Sequence, residues 1–424
     1  MKEIFGIRGQ ICFSKSLKEV CTVPDGIVIC EDGRCQGVFS ELPEKYKGIP
    51  VEDYGDTLIF PGLSDLHMHA SQYWNRGRGM DLELIPWLNE ITFPEEKRYE
   101  NEAYAREAYQ KLVSELVAGP NTRVCVFAVS EVRSTHILME LLEKSGMAGM
   151  VGKVNMDRNV PEYICEESAA ASVENTKHWI EESLSRYKNI RPILTPRFTP
   201  ACSDELMVGL SHLQKKYHLP LQSHLSENVE EIRWVKKLCP EIYCYGESYD
   251  RYSLFGSEAK TVMAHCVHSS EDEVALIKKR GVYVAHCPDS NTNLSSGIAP
   301  IRDYLTKGLR VGLGSDISSG CHTSMLRAMA SAIKVSKLYY SMVKHRAVPL
   351  RFEEVFYMAT VVGGSFFGKV GSFQKDYEFD AVVLADDSFP AGEKPAIRDR
   401  MEMAMYLSDD RNIIAKYVKG RKIK

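Results

Sequence analysis

The chain has 424 residues, of which 44% are hydrophobic and 26% are charged, and its formal net charge is −4. This is ordinary globular composition, and the length allows a large catalytic domain with a smaller one beside it. Acidic and basic residues are interspersed along the chain. The sequence therefore predicts neither a nucleic-acid-binding surface nor a membrane-binding one.

Targeting and redox signals are weak. Residues 1–16 lack the apolar region of a secretory signal, and no stretch approaches the roughly 20 apolar residues that span a bilayer. The twelve cysteines are scattered without C-x-x-C spacing, which favours reduced thiols over a disulfide framework or a zinc knuckle. These features predict a cytoplasmic protein.

Three segments follow one another along the chain. Residues 1–56 are rich in short β-type runs broken by Gly, Asp and Pro. Residues 57–370 alternate apolar strand-like runs with amphipathic helical ones, and the strand-like runs number about eight, as in a (β/α)₈ barrel. Residues 371–424 return to short β-type runs. We therefore expect an α/β protein with a barrel at 57–370, and with one β layer built from 1–56 and 371–424.

Two histidines stand one residue apart in "PGLSDLHMHASQY", residues 61–73. Positions i and i+2 of a strand share a face, so His67 and His69 can converge on one point, as metal ligands do. An isolated H-x-H is also compatible with ordinary hydrogen-bonded histidines near a turn. Further ligands are needed to decide.

Other strand-like runs end in residues of the same kind. His224, His265, His286 and Asp316 each close a predicted strand. Catalytic side chains of such barrels lie at the C-terminal ends of strands, so we expect these groups to meet.

The residue types predict a metal centre. Three imidazoles and a carboxylate that leave one position open suit catalytic Zn²⁺ or Fe²⁺, and we assign His67, His69, His224 and Asp316 as ligands. Cys266 and Cys287 each follow a strand-end histidine by one residue. They are therefore expected to face the other side of their strands and to take no part.

A general acid–base residue is predicted beside this centre. Glu227 lies three residues after His224, where the strand leaves the barrel, and could exchange protons with the water at the open position. The alternative is a glutamate that only stabilises the first turn of a helix.

Longer motifs resemble the amidohydrolase superfamily and, within it, the guanine deaminase family. The likeness runs from about residue 55 to residue 420. The matching motifs are "PGLSDLHMHASQY", "DLELIPWLNEITFPEE", "TPRFTPACS", "QSHLSEN", "TVMAHC", "AHCPDSN", "GLGSD", "FEEVFYMAT" and "YLSDDRN". H-x-H and G-x-G-S-D are shared by many amidohydrolases, whereas "HASQY", "TFPEE" and "TPRF" are more particular to guanine deaminases.

The resemblance implies a (β/α)₈ barrel flanked by a β-sandwich, a homodimer, and hydrolysis of guanine to xanthine and ammonia. It also implies one zinc ion per chain, or Fe²⁺, because Arg197 stands near the position where a binuclear relative has a bridging lysine.

The resemblance assigns roles to particular residues. His265 joins the metal set either as a distant ligand or as a group that holds the water. The implied metal set is His67, His69, His224, His265 and Asp316. The implied substrate set is His69, Gln72, Arg197, Phe198, His224, Glu227 and Asp316. The implied catalytic set is Glu227, His265 and Asp316.

Two alternatives remain. The chain could be another amidohydrolase that acts on an aminated or chlorinated heterocycle, such as an adenosine-derivative deaminase or a triazine hydrolase. It could also be a non-catalytic scaffold on the same fold. The departure "AGPNTRVCVFA" leaves the turn before the second barrel strand open. His268 is expected to be a solvated loop residue, and His286 has no assigned role.

Overall fold

The computed structural model describes residues 4–390 and 395–424. Helices and strands alternate through the central part of the chain. The strands are β1 Ile4–Ser16, β2 Glu19–Glu31, β3 Arg34–Phe39, β4 Val51–Pro61, β5 Leu63–His69, β6 Asn121–Phe127, β7 Ala148–Gly152, β8 Val154–Asn155, β9 Ile190–Pro192, β10 Thr195–Pro196, β11 Leu221–Leu225, β12 Thr261–His265, β13 Tyr283–His286, β14 Arg310–Leu313, β15 Ala381–Leu384, β16 Ile413–Val418 and β17 Arg421–Lys422.

Helices occupy most of the connections between these strands. They are α1 Leu84–Trp87, α2 Phe93–Arg98, α3 Glu102–Ala118, α4 Val132–Ser145, α5 Ala169–Arg186, α6 Asp204–Tyr217, α7 Val229–Leu238, α8 Glu247–Asp250, α9 Glu271–Arg280, α10 Pro288–Asn293, α11 Ile301–Thr306, α12 Met325–Leu338, α13 Phe352–Tyr357, α14 Gly363–Phe367 and α15 Ile397–Leu407. In the described ranges no helix is both long and apolar enough to cross a bilayer.

Two four-stranded parallel sheets form the central part, in the orders β5-β6-β7-β9 and β11-β12-β13-β14. Every residue of β5, β6 and β11 is buried, because helices cover strands that also face an apolar interior. Parallel strands alternating with helices confirm the predicted α/β class.

The two parallel sheets meet at both pairs of edges. After β9, Leu194 forms a parallel bridge with Leu221 of β11. After β14, the Asp316 amide donates to the His67 carbonyl at 2.9 Å, and the His69 amide donates to the Ile317 carbonyl at 2.9 Å. The C-terminal ends of β5 and β14 therefore lie side by side.

A seven-stranded sheet contains the remaining long strands, in the order β17-β16-β15-β4-β1-β2-β3. Strand β15 pairs with β4 in antiparallel fashion, and β4 pairs with β1 in parallel fashion. Strands from both flanking segments thus share one layer, as expected. Strand β4 runs across residue 56, so the sheet includes residues on both sides of that predicted boundary.

Lys416 joins this sheet to the parallel strands. Its side chain is buried, and Nζ donates to the carbonyl oxygens of Leu116 at 2.6 Å, Gly119 at 2.9 Å and Asn121 at 3.0 Å. These acceptors lie at the end of α3 and the start of β6. Burial lowers the pKa of the Lys416 ammonium to about 7.

We expect Lys416→Met to destabilise the fold by about 1–3 kcal/mol, because it leaves buried carbonyl groups without a donor. The measurement is the free energy of unfolding in urea. Lys422→Met is the control, since Lys422 is exposed and pairs with Glu52 at the surface. The control should change stability by less than about 0.5 kcal/mol. Equal effects from both variants would contradict an anchoring role for Lys416.

Candidate active site

Four imidazoles and one carboxylate converge at the C-terminal ends of the parallel strands. Nε2 of His67 and Nε2 of His69 lie 3.2 and 3.5 Å from Oδ1 of Asp316. Nε2 of His69 lies 3.1 Å from Nε2 of His224, and Nε2 of His265 lies 3.7 Å from Oδ2 of Asp316. Ligands about 2.0–2.1 Å from a tetrahedral Zn²⁺ are about 3.4 Å apart, so the donor spacing fits one ion.

The donor set fits a metal in its chemistry as well. All five residues are buried, and Nε2 of His67 makes no hydrogen bond within the described residues. The ring nitrogens of His67, His224 and His265 all lie within 4.8 Å of one another. Buried imidazole and carboxylate donors that share one centre are what Zn²⁺ and Fe²⁺ bind.

Hydrogen bonds at Nδ1 fix the orientation of two of the imidazole rings. Nδ1 of His224 donates to the Arg197 carbonyl oxygen at 2.6 Å. Nδ1 of His265 donates to Oδ1 of Asn291 at 2.8 Å. A hydrogen bond at Nδ1 leaves the Nε2 lone pair free for a metal. Asn291 is the last residue of the "AHCPDSN" motif, and no role was predicted for it from the sequence.

An aromatic ring supports three of the histidines. The Phe127 ring, at the end of β6, lies 4.7 Å from the His69 ring, 5.0 Å from the His67 ring and 4.9 Å from the His224 ring, centroid to centroid. This fully buried side chain limits the orientations of all three imidazoles. No role for Phe127 was predicted from the sequence.

A backbone conformation with positive φ orients two of the donor side chains. His265 has φ of +72° and Asp316 has φ of +45°, a region that non-glycine residues rarely enter. Such local strain persists where the surroundings enforce it, often at functional sites. Here it turns the backbone as β12 and β14 end.

The expected orientation of Cys287, away from the metal donors, is wrong. Tyr283 and Ala285 of β13 pack in an interior apolar cluster with Leu66 and Cys125, so the residue two further on shares their face. The Cys287 sulfur lies within 4.8 Å of donor atoms of His67 and Asp316. The prediction placed Cys287 on the opposite face of β13, because a shift of one residue in the assumed alternation exchanges the two faces of a strand.

His286 and His268 lie outside the cluster of donors. Neither ring nitrogen of the buried His286 has a hydrogen-bond partner in the described residues, and burial lowers its pKa to about 3. His268 is exposed in a loop, as expected, and its Nε2 donates to the Ser296 carbonyl oxygen at 2.6 Å.

Gly314 in "GLGSD" is required by close packing. A Cβ at this position would lie 2.8 Å from the Cys287 sulfur and 2.8 Å from Cβ of His67. Any side chain there would displace a predicted metal ligand.

Glu227 faces the donor cluster. Its Oε2 lies 3.4 Å from Nε2 of His265, and Ser296 Oγ donates to its Oε1 at 3.5 Å. Burial, followed by the nearby Asp316 charge, raises the pKa of Glu227 well above its usual range. A carboxyl group with a raised pKa beside a metal centre suits proton transfer at neutral pH.

Helix capping is performed by other side chains. Asn228 accepts the Glu230 amide at 2.8 Å, and Oε2 of Glu231 accepts the amides of Glu227 and Asn228 at 3.0 and 3.4 Å. Since the side chain of Glu227 takes no part in this capping, the helix-start alternative loses its support.

A cavity adjoins the donors. Its polar wall contains Gln72, Arg197 and Glu227, and its apolar wall includes Phe198 and Trp87. A planar heterocycle fits such a pocket, with apolar faces and a few polar groups at its edges. The residues that line the cavity and had been predicted from sequence are His69, Gln72, Arg197, Phe198, His224, Glu227, His265 and Asp316.

Arg197, which belongs to the implied substrate set, does not offer an open fork of donors. Its NH1 and NH2 donate to Oε2 and Oε1 of Glu96 at 2.6 and 3.1 Å. Nε2 of Gln72 donates to Oε1 of the same glutamate at 3.1 Å. No role for Glu96 was predicted from the sequence, although it is the last residue of the "TFPEE" motif.

Comparison with known proteins adds independent information. Residues 58–423 match the amidohydrolase family. The guanine deaminase of Dictyostelium discoideum is 36% identical over 98% of this chain and 97% of its own. That of Rattus norvegicus is 39% identical over 86% of this chain and 82% of its own. A crystal structure of guanine deaminase from C. acetobutylicum, with guanine bound in the active site, is 46% identical and covers 100% of both chains, with a TM-score of 0.96.

Proposed function

The chain belongs to the amidohydrolase family, and we propose that it hydrolyses guanine to xanthine and ammonia. The observation that carries this proposal is the cavity that Arg197 and Gln72 line together with His69, His224, His265 and Asp316. Relatives that match nearly the whole chain are guanine deaminases, one of them with guanine bound. The test is ammonia release from guanine by the metal-loaded protein.

The alternatives have less support. A non-catalytic scaffold has no need for five buried metal donors and a carboxyl group with a raised pKa. A triazine hydrolase or an adenosine-derivative deaminase has no need for the polar wall formed by Gln72 and Arg197. Product analysis with several heterocycles separates these substrates.

We propose that His67, His69, His224 and Asp316 hold one zinc ion, with His265 as a further ligand or as a group that positions the water. Fe²⁺ suits the same donors. When bound, such an ion lowers the pKa of a water to about 7 and so supplies a nucleophile at neutral pH.

Glu227 moves the protons in this proposal. It takes a proton from the attacking water and delivers it to a ring nitrogen of guanine, and it passes the second proton to the departing ammonia. Asp316 and His265 accept or donate hydrogen bonds that orient the water toward the ring carbon. The apolar wall excludes bulk water from this exchange.

The remaining side chains bind the ring. Phe198, whose ring is held edge-on by Trp234 at 6.0 Å, offers a face to the purine. Arg197 and Gln72 direct N–H groups at the 6-carbonyl oxygen. The substrate amine is thereby placed toward the metal donors.

We infer that the two parallel sheets close into one (β/α)₈ barrel, spanning residues 57–370. The contacts between β9 and β11 and between β5 and β14 support this closure. A β-sandwich built from 1–56 and 371–424 and a cytoplasmic location both stay predictions.

One metal ion per chain is expected in the purified protein, because the donors describe a single centre. Asp316→Asn should lower occupancy at least tenfold, since a carboxylate ligand is lost. His268→Asn, in an exposed loop, is the control and should leave occupancy unchanged. Elemental analysis measures all three proteins. Two ions per chain, or active protein without metal, would contradict the proposed centre.

A homodimer is also proposed, and an apolar surface segment supports it. Leu338, Met342 and Val343 expose 47%, 80% and 64% of their surface at the end of α12. Contiguous exposed apolar side chains of this size often mark an interface. Met342→Asp combined with Val343→Asp is expected to shift the mass in light scattering from dimer to monomer. A parent protein that is already monomeric would contradict the proposal.

A further inference from the structure

We propose that Glu96, which does not line the cavity, is the positioning residue that sets selectivity for purines with a 6-carbonyl group. It does so by turning the wall of Arg197 and Gln72 into a surface of hydrogen-bond donors. This inference rests on the proposed function, because it concerns how the same cavity recognises its substrate.

Glu96 is placed to hold both side chains at once. It is buried in α2, and its two oxygens accept three hydrogen bonds from Arg197 and Gln72 at 2.6–3.1 Å. The Arg197 guanidinium also lies 4.9 Å from the centre of the Phe93 ring in the same helix. Helix α2 thus fixes Arg197 both through a two-point ion pair and through an aromatic face.

The carboxylate also decides the orientation of the Gln72 amide. An ionised carboxylate only accepts hydrogen bonds, so the NH₂ group of Gln72 must face Glu96. The amide oxygen then faces the N–H and hydroxyl groups of Ser318, each at 3.4 Å. Gln72 and Arg197 both line the cavity, and the polar groups that they have left for a ligand are N–H donors.

A donor-only wall matches one edge of guanine. The 6-carbonyl oxygen and N7 are adjacent acceptors on that edge. The purine 2-aminopurine keeps the amine at carbon 2 but has no oxygen at carbon 6. Recognition of the 6-carbonyl can therefore be measured without changing the leaving group.

The experiment compares guanine and 2-aminopurine as substrates of the metal-loaded parent protein and its Glu96→Gln variant. A neutral amide at position 96 no longer pairs with Arg197 and can turn Gln72 around. We expect kcat/KM for guanine to fall about 100-fold, mainly through KM, while that for 2-aminopurine changes less than about threefold. The preference for guanine should largely disappear.

Two further variants guard against a general loss of structure. Glu95→Gln changes the neighbouring buried carboxyl, which pairs with Tyr104 and Arg98 away from the cavity, and should leave the preference unchanged. Glu96→Asp keeps the charge with a shorter reach and should retain part of the preference. If Glu96→Gln does not fold, the ratio of kcat/KM for guanine to kcat/KM for 2-aminopurine is measured on Glu96→Asp, and that ratio tests the role of Glu96.

The outcomes are distinct. Equal losses with both substrates, or an unchanged preference in both Glu96 variants, would overturn the inference. Parent protein that deaminates neither purine would refute the proposed function, and the inference with it. Efficient turnover of guanine by the parent with an unaltered preference in the variants would refute only the role of Glu96.

Discussion

Replacing Glu227 by glutamine is expected to lower kcat by about 10³-fold or more while the protein keeps its full metal content. Glutamine has nearly the same size but cannot accept the proton of the attacking water. General acid–base groups contribute about 10²–10⁴-fold, and a group used in two transfers belongs to the upper part of that range. Turnover, metal content and melting temperature are measured on the same preparation.

The control is Glu230→Gln, three positions further on in the first turn of α7, where the side chain is exposed and pairs with Arg233. It should leave kcat within about twofold of the parent. A carboxylate that only stabilised the helix start would contribute about 0.3–1 kcal/mol to stability and little to turnover. Glu227→Gln activity within tenfold of the parent, at full metal occupancy, would remove Glu227 from the mechanism.

Guanine is expected to be deaminated with a kcat/KM about 10⁴-fold above that of adenine. Arg197 is already paired with Glu96, so adenine does not leave its charge without a partner. Instead, adenine bound like guanine sets its 6-amino donor against the donors of Arg197 and Gln72 and has no amine at carbon 2 to lose. Adenine turned to bring that amine to the metal donors offers Arg197 and Gln72 no carbonyl oxygen. Sites built for one hydrogen-bonding pattern reject its opposite by factors of this size.

The check is a pair of steady-state measurements under one set of conditions, with guanine and adenine as substrates. Release of ammonia reports both reactions. The metal-loaded parent is used, so that any difference reflects the cavity. Comparable kcat/KM values for the two purines would contradict the donor wall, even if guanine is a good substrate.

The α/β class and the convergence of the strand-end groups could be predicted from the sequence, because both follow from simple periodicity. A run of apolar residues that ends in histidine or aspartate identifies a strand and its C-terminal end. His67, His69, His224, His265 and Asp316 all follow this rule. Their side chains meet for that reason.

The residues missed from the sequence act through partners distant in the chain. Glu96 contacts Arg197 across 101 positions, and the helix of Glu96 shows no periodic signal that points to a buried ion pair. Asn291 contacts His265 from a short helix after the next strand. Cys287 was assigned to the wrong face because the alternation of a four-residue strand can be started in either frame.

The junction between β5 and β14 has a consequence for how the chain reaches its native state. Asp65 accepts the Ser315 amide across 250 positions, next to the point where His67 and Asp316 meet. Contacts of such long sequence separation form late in folding. A nascent chain that ends before β14 therefore lacks a complete set of metal donors. The free energy of binding an ion at these donors would then be coupled to this last closure, so a chain that ends before β14 is expected to retain no ion.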